Sequence, residues 1–431
     1  MFRRFARMAI AVPFLAAIFL SACTATLPQP ARDTSTDPLT LRFTVWTSNE
    51  GHLAMLNEIA TAFKAIRPNV SVDFVSIPFG DYSSKVPVQL AGGTPPDAGW
   101  LPESLSASWR DAGVLADLGP ALQAEEYDFA DFSPAALRLW QTGDVVNGIP
   151  FSNSPAFIAF NRDLFEAAGV ETPADLLADG SWTWDNLARI SRELTANSPA
   201  GTYGYAYQDL YKNLHWAGLS PVLWAYGGDA WNADGTECLL STPESVQAVQ
   251  LIHDMIFVDQ SMVPPGSDAV FASGKVGMAI NILSSLGQLK DVPFQWDVVP
   301  LPSGPAGNTP YIGQAAIVVF EKSQHKDVAA DFVAYMTNQD NVAKFAQFFP
   351  PARISVLESG ALMAANPMVT ENVNAVITDG IQKGRTLPTH KEFPKIDLAA
   401  KAEFDKLWQA DADVQAILTG VCAAIEPYLN Q

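Results

Sequence analysis

From Leu41 onward the chain alternates between two apolar patterns. Leu41–Trp46 (LRFTVW) is an apolar-rich run of strand length, whereas Leu53, Leu56, Ile59, Ala60 and Phe63 recur at helical spacing and stop at Arg67-Pro68, where proline ends a helix. Val70–Val75 (VSVDFV) reads as the next strand. A helix over about Tyr82–Leu90 is broken by Gly92-Gly93 and Pro95-Pro96, and Asp97–Leu101 is strand-like again. Strand, helix, strand, helix, strand predicts an α/β fold built on a parallel, doubly wound sheet. Ligands of such sheets sit beyond the carboxyl ends of the strands. The loops Thr47–Gly51, Pro78–Tyr82 and Pro102–Ser104 are therefore candidate binding segments.

A second unit of the same kind follows. Ala156–Phe160, Val276–Ile280, Asp297–Leu301 and Ile312–Phe320 are strand-like. Ser181–Asp185 opens a helix with Thr183 as N-cap, and Pro243 starts another carrying Val246, Val249, Ile252 and Ile256. The last eighty residues are mostly helical in pattern, and no internal repeat is visible.

The N-terminus is patterned differently. Arg3, Arg4 and Arg7 precede the apolar stretch Met8–Leu20, whose thirteen residues fall short of the ~20 needed to span a bilayer core. This predicts an export signal over residues 1–22 rather than a membrane helix. Its ending, Leu20-Ser21-Ala22-Cys23, resembles the bacterial lipoprotein box, which implies lipidation at Cys23 and attachment to a membrane. Residues 23–40 then read as the lipidated cysteine and a Pro- and Thr-rich flexible tether.

Composition narrows the function classes. The 431 residues suggest two or three domains, and 48% hydrophobic content excludes wholesale disorder. A net charge of −20 excludes a general nucleic-acid binder, since no surplus of cations is left to displace phosphate counterions. The three Cys and five His lack metal-ligand spacing, so no metal and no cofactor is expected. Cys238 and Cys422 are able to pair in an exported protein, but free buried thiols fit the sequence equally. There is no Gly-x-Ser-x-Gly elbow, no His-Glu-x-x-His and no P-loop.

A series of segments carries a specific resemblance: FTVWTSNEG at Phe43–Gly51, FGDYSSK at Phe79–Lys85, LAGGTPPD at Leu90–Asp97, FNRDLFEAAGV at Phe160–Val170 and SWTWDNL at Ser181–Leu187. YGGDAW at Tyr226–Trp231, FASGKVGMAIN at Phe271–Asn281, VPLPSGPAGN at Val299–Asn308 and FPPAR at Phe349–Arg353 complete it. In this order they resemble the family 1 extracellular solute-binding proteins of bacterial ABC importers, the group that includes the maltose-binding protein. The resemblance implies two α/β lobes, each with a doubly wound, mainly parallel sheet, joined by three crossing segments. Mapped onto this chain, lobe one is 41–150 plus 297–337 and lobe two is 151–296 plus 338–431. The crossings then fall near Ile149–Phe151, Trp296–Asp297 and Thr337–Gln339. It also implies a monomeric binding protein without enzymatic activity, exported and lipid-anchored to the outer face of the cytoplasmic membrane. Such a protein would capture a sugar between its lobes and deliver it to permease subunits.

Sugar recognition needs flat apolar surfaces for ring C–H faces and planar polar groups for hydroxyls. On lobe one the candidates are Trp46, Asn49, Glu50, Asp81, Tyr82, Glu103 and Ser104, with Ser152 and Asn153 at the crossing. Lobe two is expected to supply His215, Trp216, Trp224, Tyr226, Asn281 and Ser284. Gly313 and Gln314 open a later strand, and Arg353 ends the Pro-Ala-Arg motif. Trp46 serves equally well as a cap on the core, Asp81 and Glu103 as helix caps, and His215 as a satisfied structural group. Trp182, Trp184, Trp100, Trp109, Trp140 and Trp408 read as packing residues. Many sugar binders of this family carry Gly-Gly-Trp where this chain has Gly313-Gln314-Ala315, and a Trp where it has Ile282-Leu283-Ser284. Losing two rings argues for a short ligand. The alternatives are glycerol-3-phosphate or another anionic polyol held by Arg353 or Arg385, against the overall negative field, and an exported glycoside hydrolase with paired carboxylates.

Overall fold

The structure is a computed structural model that describes residues 36–93, 95–211 and 215–431. The expected signal segment, Cys23 and the expected tether as far as residue 35 lie outside the described residues. Strand β1 (Leu39–Val45), helix α1 (Glu50–Phe63), β2 (Val70–Ser76), α2 (Phe79–Ala91), β3 (Ala98–Pro102) and α3 (Glu103–Asp111) open the fold in the expected order. A short hairpin, β4 (Gln141–Thr142) and β5 (Val145–Val146), precedes β6 (Ile149–Pro155) and β7 (Phe157–Asn161). Four more strands follow, β8 (Tyr203–Ala206), β9 (Val276–Asn281), β10 (Trp296–Pro300) and β11 (Tyr311–Val319), and then the two-residue β12 (Arg385–Thr386).

These strands build two main sheets. The larger runs β12-β11-β3-β1-β2 with β6 also on β11, and the smaller runs β10-β7-β9-β8. Each is covered on both faces, as the two-residue alternation of strand side chains requires. In the larger sheet Phe43, Ile317 and Val319 pack with Ile59, Phe63 and Phe332 on one side. On the other side Leu101, Ala316 and Val318 pack with Tyr82, Val86 and Trp109. In the smaller sheet Ile158 and Phe160 face one cluster and Phe157 and Ala159 another. The architecture is thus the expected two-lobed α/β fold.

Strand direction departs from expectation in the smaller sheet. β1 pairs parallel with β2 and β3, as the βαβ pattern predicts. β7, however, is antiparallel to both β9 and β10, and only β8 and β9 run parallel. The reason is connectivity. β6 passes through the single residue Ala156 into β7, so the crossing strand enters the second sheet head-on instead of returning through a helix.

The crossings also fall later than the sequence placed them. Ile149–Phe151 lie within β6, which pairs with β11 in the larger sheet up to Pro155. Trp296 and Asp297 belong to β10 and pair with Asn161 and Phe160 of β7, so the chain changes sheets between Pro300 and Tyr311. At the third passage Phe345, Phe349 and Ala352 still pack with the larger sheet's core, and Leu362 is in the smaller sheet's. Ala346, between them, also belongs to the smaller sheet's core, so residues 345–362 pass between the two cores.

Cys238 and Cys422 form a disulfide, which ties helix Val414–Leu429 to the loop before helix Pro243–Phe257. Among the described residues no helix is long and apolar enough to cross a membrane.

Candidate functional site

Strand pairing locates the site. β1 and β3 are parallel, so their carboxyl ends lie on one edge of the larger sheet. β11 runs opposite to β3, with Ala315 beside Pro102, and β6 runs opposite to β11, with Asn153 beside Gln314. Trp46, Glu103, Ser152–Ser154 and Gly313–Gln314 therefore share that edge. Past Ala156, Phe157 pairs with Asn281 of β9 and with Pro300 of β10. The Asn281 end of the smaller sheet thus meets the Gln314 edge of the larger one. Surface cavities of about 350 Å³ beside Phe132 and Arg138, and about 310 Å³ beside Trp296 and Met368, lie away from this meeting line.

On the larger sheet's edge, Trp46 is half-buried just past β1. It makes edge contacts with Phe79, Tyr82 and Trp100 at 5.6, 5.3 and 5.2 Å between ring centroids. Asn49 and Glu50 are exposed. The Asn49 side chain caps α1 by accepting the His52 backbone N–H at 3.1 Å, and Glu50 sits favourably at the helix's positive end. Asp81 is half-exposed and accepts from Lys85 Nζ at 2.9 Å. His52 is buried beneath, against Phe348 and Phe349. Burial pulls its pKa down to about 4.

Glu103 is the unusual group on this edge. Its carboxyl is buried at the start of α3, and burial pushes its pKa up to about 8 against the backbone N–H groups of Glu103 and Gln314. Burial thus favours the protonated form, in which the carboxyl can donate as well as accept a hydrogen bond. Ser104 beside it is half-buried. Gln314 is buried and committed: its Oε1 accepts from Trp140 Nε1 at 2.7 Å and its Nε2 donates to Asn153 Oδ1 at 3.2 Å. Ser152 and Ser154 share a hydrogen bond at 3.1 Å, and Gly313 opposite Ser154 is partly exposed.

On the smaller sheet, Asn281 and Ser284 are half-buried at the facing end. Asn281 Oδ1 accepts from Ser285 Oγ at 3.0 Å and its Nδ2 donates to the Ala279 carbonyl at 3.3 Å.

Several sequence candidates do not present a free surface. Tyr82 is 1% exposed with its hydroxyl on Thr44 Oγ1 at 2.7 Å. His215 is buried on Phe404, and burial holds its pKa down despite nearby Asp397. Trp216 packs on Trp231 and Phe404, with its Nε1 donating to Asp397 Oδ1 at 2.7 Å. Tyr226 donates to Asp185 Oδ1 at 2.8 Å. All of helix His215–Tyr226 is buried, so these groups are core, where the sequence had expected ligand contacts. Arg353 is 1% exposed. Its guanidinium donates to the carbonyls of Thr337, Asp128 and Tyr127 and to Asp131, and lies over the Tyr127 and Phe132 rings. It is a structural tie at the third crossing.

Trp224 is buried beneath Arg385, whose guanidinium lies 4.3 Å from the ring centre and bonds Asp229 at 2.8 Å. The Trp224 Nε1 donates to the same Asp229 carboxylate at 3.0 Å. β12 joins the flank of β11 that β3 leaves, Arg385 opposite Tyr311 and Pro102 opposite Ala315. Arg385 thus lies beyond the carboxyl end of β3, toward the smaller sheet. Phe79 lies in the candidate segment Pro78–Tyr82 but was not singled out within it. Its motif was visible, but its 47% exposure beside Trp46 is a tertiary property.

The arrangement suits capture of a small polar molecule: the larger sheet's edge carries planar polar groups and the Trp46 ring, and the smaller sheet's end that meets it carries Asn281 and Ser284. A putative binding protein of Brucella abortus is 25% identical over 67% of this chain and 70% of its own length. An ABC substrate-binding protein of Listeria monocytogenes, solved with cycloalternan, superposes with a TM-score of 0.79 at 24% identity, over 91% of this chain and 98% of that one. UgpB of Mycobacterium tuberculosis, solved with glycerophosphocholine, gives 0.78 at 21% identity, over 91% and 98%. The family described as bacterial extracellular solute-binding protein matches residues 48–343, and the chain belongs to that family.

Proposed function

We propose that this chain is the substrate-binding component of an ABC importer, capturing a mono- or short oligosaccharide between its lobes and handing it to membrane permease subunits without altering its bonds. The observation that carries the reading is the meeting of two sheet edges at Ala156. One edge offers Trp46, Asn49, Glu50, Ser104 and Gly313, the other Asn281 and Ser284. A ligand touching both edges favours the closed arrangement, because only differential affinity shifts such an equilibrium. In this reading lobe one comprises about 36–155 and 311–352 and lobe two about 157–300 and 356–431, with β12 crossing back. Residues 1–22 are the export signal, and lipidated Cys23 holds the monomer at the outer face of the cytoplasmic membrane.

A thermal-shift screen of the body from residue 36 against mono- and oligosaccharides tests the reading. A ligand at 100 times its Kd stabilises the fold by roughly 2.7 kcal/mol. A panel without a single shift, or release of cleaved product from a glycoside, contradicts it.

One observation favours a second reading, an anionic polyol. With Arg353 consumed internally, the half-exposed Arg385 on its Trp224 shelf is a cation placed toward the facing edges. A phosphorylated polyol that binds in low salt and is lost with Arg385→Gln would select it.

A further inference from the structure

The side chain of Asn153, on the crossing strand β6, ends a row of hydrogen bonds whose direction is set from the other end. That end is Trp140, fully buried in the cluster on one face of the larger sheet. Its indole lies so close to the backbone ahead of β6 that a Cβ at Gly148 would come within 2.9 Å of the ring. The Trp140 Nε1 reaches Gln314 at 2.7 Å, and the far end of that amide reaches Asn153 at 3.2 Å. An indole N–H only donates, so the Gln314 atom facing it is Oε1. Nε2 then faces Asn153 and donates, so the Asn153 atom facing it is Oδ1. Turning the Gln314 amide over would set donor against donor at Trp140 and acceptor against acceptor at Asn153.

Both strands are pinned by their backbones as well. The Gln314 N–H is bonded to the buried Glu103 carboxyl, and the Asn153 N–H donates to the Pro350 carbonyl at 3.0 Å. With Oδ1 taken, the group left over on Asn153 is Nδ2, which has no acceptor among the described residues although Asn153 is only 5% exposed. The neighbouring amides are spent: Gln314 at both ends, and Asn281 on Ser285 and the Ala279 carbonyl. Asn153 lies three residues before Ala156, where the two sheets meet, roughly 10 Å along a strand. Gln314 stands where many sugar binders of the family carry a glycine, which has no side chain with which to orient an amide on the crossing strand. The polarity is therefore a property of this chain.

We infer that Trp140 and Gln314 are positioning residues that lock Asn153 as a hydrogen-bond donor toward the cleft, so that the ligand meets the crossing strand with an acceptor oxygen and not with a hydroxyl proton. This rests on the proposed capture between the lobes and adds to it which hydrogen-bonding partner the ligand offers there.

The test is calorimetric titration of the body from residue 36 at about pH 8, well above the usual carboxylate range. The probes are the mono- and disaccharides of glucose, galactose, mannose and xylose, and glycerol-3-phosphate. They are applied to the wild type, Asn153→Ala, Asn153→Asp, Trp140→Phe and the double variant Trp140→Phe with Asn153→Asp. For the probe that the wild type binds most tightly, Asn153→Asp keeps the shape but offers only acceptors. It is expected to lose about tenfold or more in affinity, at least as much as Asn153→Ala. Binding by Asn153→Asp as tight as the wild type's, or tighter, overturns the inference, because the ligand then donates to residue 153. Trp140→Phe keeps a ring and removes the N–H, and is expected to weaken binding several-fold. The double variant should bind no worse than Asn153→Asp alone, since no donor is left to orient; additive losses would make Trp140 a packing residue and overturn its positioning role. In the wild type itself the Nδ2 proton resonances of Asn153 should move on saturation with that probe, and resonances that stay in place overturn the inference whether or not the variants fold. Absence of binding by every probe overturns the inference and the capture reading together.

Discussion

The indole N–H of Trp140 donates to Oε1 of Gln314 at 2.7 Å, and the other end of the same amide donates to Oδ1 of Asn153 at 3.2 Å. All three side chains are buried, so Gln314 spans from lobe-one core to the crossing strand with both ends of its amide in use. Replacing it by alanine orphans the indole donor and the asparagine acceptor together. The expected loss is about 1–3 kcal/mol, read from the urea midpoint. An unchanged midpoint would mean that water serves both groups equally well.

Trp216 and Asn49 separate core from surface. Trp216 is packed on three aromatic rings and bonded to Asp397, so Trp216→Ala is expected to cost about 3–5 kcal/mol. Asn49 is exposed and its loss removes one helix cap, about 1 kcal/mol. Denaturation of the two variants side by side checks the contrast, and a Trp216→Ala variant of normal stability would return that ring to the ligand surface.

Glu103 makes stability depend on pH. Its folded pKa of about 8 lies above the ordinary value of 4.5 because burial disfavours the carboxylate. The folded state therefore keeps a proton that the unfolded chain releases. This contribution is fully present below about pH 4.5 and is lost as the pH rises through 8. Glu103→Gln keeps a neutral side chain of the same size, so the melting temperature of the variant relative to wild type should climb between pH 5 and 9. A constant difference would place the carboxylate in contact with water.

The Cys238–Cys422 bridge closes a loop of 184 residues. Its removal in the double serine variant frees the last helix in the unfolded chain, and the expected cost is about 2–4 kcal/mol. Melting of the wild type with and without a reducing agent should reproduce the shift, while the double variant should ignore the reductant.

Much of lobe one was legible from the sequence because its strands and helices alternate locally. The run Leu41–Trp46, the helical spacing of Leu56, Ile59 and Phe63, and the stop at Pro68 each carry their own signal. The crossings were not legible, since Trp296–Pro300 reads as a strand whichever sheet it joins and only its pairing with β7 decides. Burial hid the rest. Residues His215–Tyr226 contain the aromatic and polar types that bind sugars, and the same types fill a helix enclosed on all sides. Arg353 was equally opaque: a lone arginine does not announce that three carbonyls and a carboxylate surround it.

With Pro155 ending one strand and Phe157 beginning the next, the two sheets share what is nearly one unbroken ribbon. At this crossing any rotation of one body against the other would be taken up as twist over a peptide or two, beside a proline whose ring already freezes one torsion. Such a short axle resists sliding and splaying but yields to a swing about its own length.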